Sequence, residues 1–237
     1  MQPSLTPAYV LHSRPYRDSS ALVDLLTLHQ GLQRVVWRGA RGQRRRLAPQ
    51  PFVPLLVGLA GRSELKTLTQ AEVAGGFALL QGQTLFSGLY LNELLVRLLA
   101  SGDPQPLLFA AYQHALEQLA TGVAVEPVLR RFEWQLLDIL GYGFSLTEDA
   151  SGQPVRAEQR YVWHAADGLQ ALHDPLLANA GMPGAALLAM AADDWSATVT
   201  LRAAKHLMRQ ALGVHLGDRP LVSRQLFARQ PDFRKGE

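Results

Sequence analysis

The apolar residues change period once along this chain, near residues 76–84, and that change constrains the fold more than any motif does. Before it, Ala8 to Ser13, Ser20 to Leu28, Leu32 to Arg38, Phe52 to Leu59 and Ser63 to Glu72 are each of strand length. They are rich in β-branched or aromatic residues and separated by breakers. His29-Gln30-Gly31 fits a hairpin turn between the second and third. Five short strands in this space predict a small closed barrel of the OB type, with an SH3-like barrel as the nearest alternative. After the change, Leu85 to Leu99 is apolar on nearly all sides, as a helix at the centre of a bundle would be. Asp103-Pro104 reads as an N-cap followed by proline, opening a helix with Leu108, Tyr112, Leu116 and Leu119 on one face. A third helix is expected from Glu126-Pro127, with Leu129, Phe132, Leu136 and Leu140 in one stripe and Gly141 as its stop. Residues 142–175 are turn-rich, with one short strand signal around Tyr161 to His164. Helices resume over Pro183 to Ala192 and Ala197 to Leu212, the latter ending at Gly213.

The expected fold class is therefore β + α with two domains: an N-terminal OB-fold barrel over residues 1–80 and an all-α helical domain over residues 81–237. The second carries a short irregular insertion at 142–175 and a basic C-terminal helix and tail at 197–237. With 237 residues, 48% apolar and 18% charged, the chain can bury a core of that size. Its longest apolar runs, such as Gly184 to Ala192, fall short of the ~20 residues that a membrane span needs. Arg14, Arg17 and Asp18 interrupt the N-terminus where a signal peptide would be apolar, so a cytoplasmic protein without a membrane partner is expected. Cysteine is absent, which removes disulfides, thiol nucleophiles, iron–sulfur clusters and cysteine-ligated zinc.

No phosphate loop, GxGxxG, HExxH or GxSxG is present, and Gly141-Tyr142-Gly143 reads as a helix stop. The His residues show no ligand spacing, and His164 with His173 lacks two further donors. Asp193-Asp194 and Glu148-Asp149 read as solvated charge. No catalytic residue, cofactor or metal is expected, and a binding module is favoured over an enzyme.

The charge is segregated. Residues 1–80 carry a net +6, residues 81–200 a net −8 and residues 201–237 a net +5. Within the first block, Arg34, Arg38, Arg41, Arg44, Arg45 and Arg46 form a run with Trp37 embedded in it. Arg34 and Arg38 belong to the third strand, and residues 39–49 form a basic loop able to follow a phosphate backbone. OB barrels bind single strands by combining a basic groove with stacking aromatics, although Trp37 reads first as core. In the last block Arg202, Lys205 and Arg209 recur at spacings of three and four, one helical stripe, with Leu201, Ala204, Met208 and Leu212 left to pack. In the middle, Arg131 falls on the polar face with Gln135 and Asp138, while Arg130 flanks Trp134, an edge suited to an acidic peptide with an aromatic end. Pairing of that Arg with Glu133 or with helix ends is the alternative.

Seven ordered segments make the chain resemble the RecO family of recombination mediators. They are Tyr9 to Tyr16, Gly39 to Gly42, Gln50 to Phe52, Gly61 to Leu68, Phe86 to Leu95, Leu129 to Glu133 with Leu140 to Gly143, and Ser223 to Phe227. The resemblance implies an OB barrel and a helical domain without enzymatic turnover. It implies binding of single- and double-stranded DNA, annealing of complementary strands, and action with RecR to help RecA displace the single-strand-binding protein SSB. Carried over to the barrel, the DNA-contacting positions are Arg34, Arg38 and Arg41, with Arg44, Arg45 and Arg46 in the adjoining loop. Arg130, beside Trp134, is the position for the acidic, Phe-ending tail of SSB. Many members carry a four-cysteine zinc site; this chain has no cysteine, so residues 142–175 must hold their shape by packing. Nucleoid association in the cytoplasm follows. The rival from another class is a protein adaptor that meets only acidic protein tails, not DNA. A nuclease on the barrel would need clustered carboxylates, and residues 30–60 contain none.

Overall fold

The computed structural model describes residues 5–42, 47–76, 79–174 and 180–228. In chain order its elements are β1 (Thr6–Tyr16), β2 (Ser20–Thr27), β3 (Gly31–Trp37), β4 (Pro54–Ala60), β5 (Leu65–Val73), α1 (Gly82–Leu98), α2 (Pro106–Ala120), α3 (Val125–Ile139), β6 (Arg160–His164), β7 (Gly168–Leu172), β8 (Met182–Pro183), α4 (Gly184–Ala191), α5 (Thr198–Leu216) and α6 (Ser223–Ala228). One compact unit takes the chain up to Val125 and again from Pro220; the other spans Glu126–Arg219. Compactness thus groups α1 and α2 with the barrel, whereas the change of period marks where strands give way to helices.

The first five strands close into a barrel in the order β1-β2-β3-β5-β4, with β4 returning to β1. β3 and β5 pair in parallel and the other neighbours are antiparallel. This is the expected OB-type barrel, its strands within about two residues of the sequence reading at most ends. Inward residues alternate along the strands: Val10, Val23, Leu25, Val35, Leu55 and Val57 are buried together, and Trp37 joins them as core. Each such side chain contributes roughly 1.5–3 kcal/mol. The register of β1 shifts between Val10 and His12. Val10 faces the core opposite Leu25, whereas beyond the shift His12 and Arg14 sit opposite Asp24 and Leu22 on the outer face. One extra residue in β1 has therefore turned two polar side chains outward.

The turn between β2 and β3 ends on Gly31 at φ +64°, and a Cβ there would lie 2.0 Å from the Asp103 carbonyl oxygen. Only glycine permits that approach, which lets the Gly102 N–H donate to the Leu32 carbonyl at 2.9 Å. The same arrangement corrects the start of α2. Gln105 precedes Pro106 and is held at φ −127°, ψ 76°, so the helix opens on Pro106 and not on Pro104. Inside this unit Asn92 donates to the Leu11 carbonyl at 2.9 Å and accepts from Tyr112 at 2.6 Å. Burial, reinforced by Tyr9, pushes the Tyr112 phenol well up. Glu93 on α1 accepts from the Val222 and Ser223 backbone N–H groups, both at 2.8 Å, and from the Ser223 hydroxyl, fixing the start of α6, a helix the sequence reading does not contain.

In the second unit α3 ends as expected at Gly141, φ +79°. Its Tyr142 N–H donates to the Leu137 carbonyl and its Gly141 N–H to that of Asp138, a Schellman closure. Residues 142–175 are more regular than expected. β6 falls on the anticipated strand, but it pairs with β7 on one side and β8 on the other. β7, Gly-Leu-Gln-Ala-Leu, lacks β-branched residues and is a strand because β6 supplies its ladder. α5 runs through Gly213 to stop at Gly217, φ +64°. The extra turn places His215 in a stack on Tyr142 with centroids 3.7 Å apart, a contact that offsets the ~1 kcal/mol of a helical glycine.

Candidate nucleic-acid interface

The outer face of β1-β2-β3 is built by strand register. Asp24 lies opposite His12 on one side and Arg34 on the other, so these three form a row across the strands; Arg14 lies opposite Leu22, which lies opposite Val36, in the next row. Arg14, Arg34 and Arg38 are exposed, and Leu22 and Val36 are half-buried between them. Arg41 is exposed too, its backbone tied to Ser19 at 2.9 Å. Asp24 is the one acid on the three strands. Its Oδ1 accepts from Arg34 Nε at 2.7 Å, and its Oδ2 lies 3.7 Å from His12 Nδ1. The hydrogen bond and charge of Asp24 raise the already high pKa of the Arg34 guanidinium, so it stays a cation at any working pH. Arg17 adds a charge 5.1 Å from the Tyr16 ring centroid at the end of β1. The structure thus exposes Arg34 midway along β3 and Arg38 and Arg41 just beyond that strand, while Arg44, Arg45 and Arg46 lie outside the described residues. The Asp24–Arg34 bond is absent from the sequence reading. A signal for it existed: a turn centred on His29 makes Asp24 and Arg34 equidistant from it, hence cross-strand partners.

The second basic group is the exposed stripe Arg202, Lys205 and Arg209 on α5, opposite buried Ala204, Met208 and Leu212. Lys205 stands 3.8 Å from Glu126, and Arg202 and Arg209 have no partner among the described residues. This stripe belongs to the other compact unit.

On α3, Arg130 is nearly buried, its side chain 11% exposed, and its Nη2 bonds Oε1 of fully buried Glu133 at 2.6 Å. The pairing alternative for Arg130 is therefore what the fold adopts. Trp134 is half-buried with its edge on Phe144 at 5.1 Å, and Phe144 lies 5.2 Å from Trp163, so aromatic packing ties α3 to the segment after it. Arg131 lies on the face that carries exposed Gln135 and Asp138, and there it clamps Asp193, a partner the sequence does not suggest, with Nε and Nη2 at 2.8 and 3.0 Å. Asp193 is accordingly not free solvated charge. The bond from Arg131, helped by one from Trp195, holds its carboxyl below the usual range despite partial burial. That clamp depends on contact across 62 residues, which no local pattern records.

In the same unit, a cavity of about 460 Å³ is walled by the Tyr142–His215 stack, Phe144 and Trp163 and edged by Glu148, Asp149 and Asp167. No group of three His, Asp or Glu among the described residues could hold a metal ion, and with no cysteine in the chain the donors of a four-cysteine site do not exist. No helix among the described residues is long and apolar enough to cross a membrane.

A closed five-strand barrel with a cationic outer face, joined to a helical region, defines an OB-type module with a helical extension. Comparison with known proteins narrows the class: a model described as "Recombination protein O N terminal" matches residues 1–77, and one described as "Recombination protein O C terminal" matches residues 79–225. The chain is 55% identical over 219 residues to the DNA repair protein RecO of Pseudomonas paraeruginosa PA7, covering 92% of each chain. It is 55% identical over 223 residues to that of Stutzerimonas stutzeri A1501, covering 93% of this chain and 92% of the relative. Against that of Pseudomonas putida W619 it is 52% identical over 231 residues, covering 97% and 99%. The chain belongs to the RecO family of DNA repair and recombination proteins.

Proposed function

We propose that this protein is a non-enzymatic recombination mediator that binds single- and double-stranded DNA on the β1-β2-β3 face, anneals complementary strands and, with RecR, helps RecA load on SSB-coated single strands. The observation that carries the reading is the outer barrel face, where Arg14, Arg34, Arg38 and Arg41 stand exposed and Asp24, the one acid on β1, β2 and β3, is itself engaged. Neutralising phosphates there releases counterions and yields affinity without sequence preference. Annealing then needs only that two polyanions be screened while their bases stay accessible, and no bond is made or broken. Arg44, Arg45 and Arg46 continue the basic run along the chain, and Arg202, Lys205 and Arg209 form a second polyanion-facing stripe.

On the same reading Arg130 and Trp134 dock the acidic tail of SSB, which raises the local concentration of mediator on coated strands. Support for this is the Leu129 to Glu133 segment, which carries part of the family resemblance and lies within the matched C-terminal region; the Glu133 bond means a tail carboxylate has to share the guanidinium. The protein works in the cytoplasm at the nucleoid, without cofactor or membrane. The test is the annealing rate of complementary oligonucleotides coated with intact SSB or with SSB lacking its terminal residues. Acceleration on intact SSB that is lost with the tail supports the reading. No acceleration on either leaves an adaptor for acidic protein tails.

A further inference from the structure

We propose that Asp24 is a positioning residue for the nucleic-acid backbone: it holds Arg34 by Nε alone and so presents both terminal Nη groups to one phosphate. This rests on the reading of the β1-β2-β3 face as the DNA surface. An acid on a face that receives a polyanion lowers affinity if it acts only as charge. Its geometry indicates more. Asp24 occupies the middle of its row, and its side chain is only 10% exposed although it points to the outside of the barrel. A buried carboxylate is costly unless it is bonded, and here Arg34 Nε supplies the bond at 2.7 Å to Oδ1, while Oδ2 faces His12 at 3.7 Å.

The contrast with Arg131 is informative. On Asp193 that residue spends Nε and Nη2 on the two carboxylate oxygens. Arg34 spends Nε only, and its Nη1 and Nη2 have no partner among the described residues, in a side chain that is 54% exposed. A guanidinium anchored at Nε keeps its plane fixed and leaves paired donors that match two oxygens of one phosphodiester. Ordering Arg34 before the strand arrives also removes side-chain entropy that binding would otherwise lose. His12 flanks the acid on the far side, and no other titratable group lies on the paired positions of β1, β2 or β3 in this row.

The experiment uses the full chain and a labelled single-stranded oligonucleotide, read by fluorescence anisotropy at fixed salt, with thermal midpoints recorded for every variant. Asp24→Asn removes the charge but keeps an acceptor for Nε; Asp24→Ala removes both. Positioning predicts that Asp24→Asn binds at least as tightly as the parent and that Asp24→Ala binds about three- to tenfold more weakly than Asp24→Asn at the same net charge. It also predicts that Asp24→Ala costs no affinity in an Arg34→Ala background. If both variants bind more tightly than the parent and equally, Asp24 merely subtracts charge and the proposal is overturned while the DNA face stands. If Arg34→Ala binds like the parent, the DNA-face reading fails and the proposal with it. Should Asp24→Ala not fold, Arg34→Lys decides: retained charge with about three- to tenfold weaker binding supports positioning, and parental binding overturns it.

Discussion

Replacing Arg130 with alanine removes the cation bonded at 2.6 Å to a carboxylate that is fully buried on α3. Breaking one side of a buried ion pair leaves an uncompensated charge in low dielectric and costs about 3–5 kcal/mol. At about 4–8 °C per kcal/mol for a domain of this size, the transition of the Glu126–Arg219 unit should fall by about 12 °C or more. Calorimetry on the full chain reads it. Removing both charges together, as Arg130→Met with Glu133→Leu, should restore the midpoint to within about 1–2 kcal/mol of the parent, since an apolar pair of similar volume packs without desolvation cost. Lys205→Ala is the control: its partner Glu126 is 3.8 Å away and both side chains are more than half exposed, so the change should stay below about 1 kcal/mol. An Arg130→Ala midpoint within about 2 °C of the parent would refute the reasoning, because at that size the pair behaves as a surface one. The double variant is consequently the right protein for testing the SSB tail, since it lacks the cation without losing the fold.

Each of Arg34→Ala and Arg38→Ala should reduce the slope of log Kd against log salt for single-stranded DNA by about 0.7, one phosphate each, in an anisotropy series; unchanged slopes would remove these residues from the interface. Burial alone would raise the Glu93 carboxyl, but the bonds from Ser223 and Val222 and the charge of Arg97 outweigh it and hold the group below its usual 4.5. A lowered folded-state pKa contributes stability that is present above the unfolded value and is lost as pH falls through the folded one. Hydrogen exchange should therefore show the start of α6 opening as pH drops below 4.5, and Glu93→Gln should abolish that dependence. A chelator should leave both thermal transitions unchanged, and a fall in either would reveal a metal that no donor cluster explains. Gly31→Ala should be destabilising by more than about 2 kcal/mol in denaturant titration, because its methyl meets the Asp103 carbonyl and its φ is positive.

The barrel strands were legible because alternation between a shared core and solvent repeats every two residues, and the turns at Gly31 and elsewhere are local chemistry. What local pattern could not supply was partnership. The parallel β3–β5 closure, the β6–β7 pairing and the Arg131–Asp193 clamp join residues whose proximity only the finished fold decides. Two boundaries moved, the first for a local reason and the second for a distant one. The second proline of Pro-Gln-Pro set the start of α2 through the restriction on Gln105, and a distant stack on Tyr142 carried α5 past Gly213. At the site, the cations were visible as a run of arginines, but whether each is free or engaged was not: Arg34 and Arg130 look alike in sequence, and one is half-exposed while the other is sealed against Glu133.

The 130 residues between Glu93 and Ser223 give the contact that fixes α6 a temporal meaning. At about 5–20 residues per second of synthesis, roughly 6–26 s pass between emergence of the acceptor and of its donors. For most of that interval, once α1 and α2 are complete, the first unit has its barrel and both helices but not the backbone segment that Glu93 binds, and the whole of the second unit is made in the meantime. Translation order therefore makes α6 a late seal on a unit begun first, so a ribosome stalled before Pro220 would hold a barrel whose last helix is still to come.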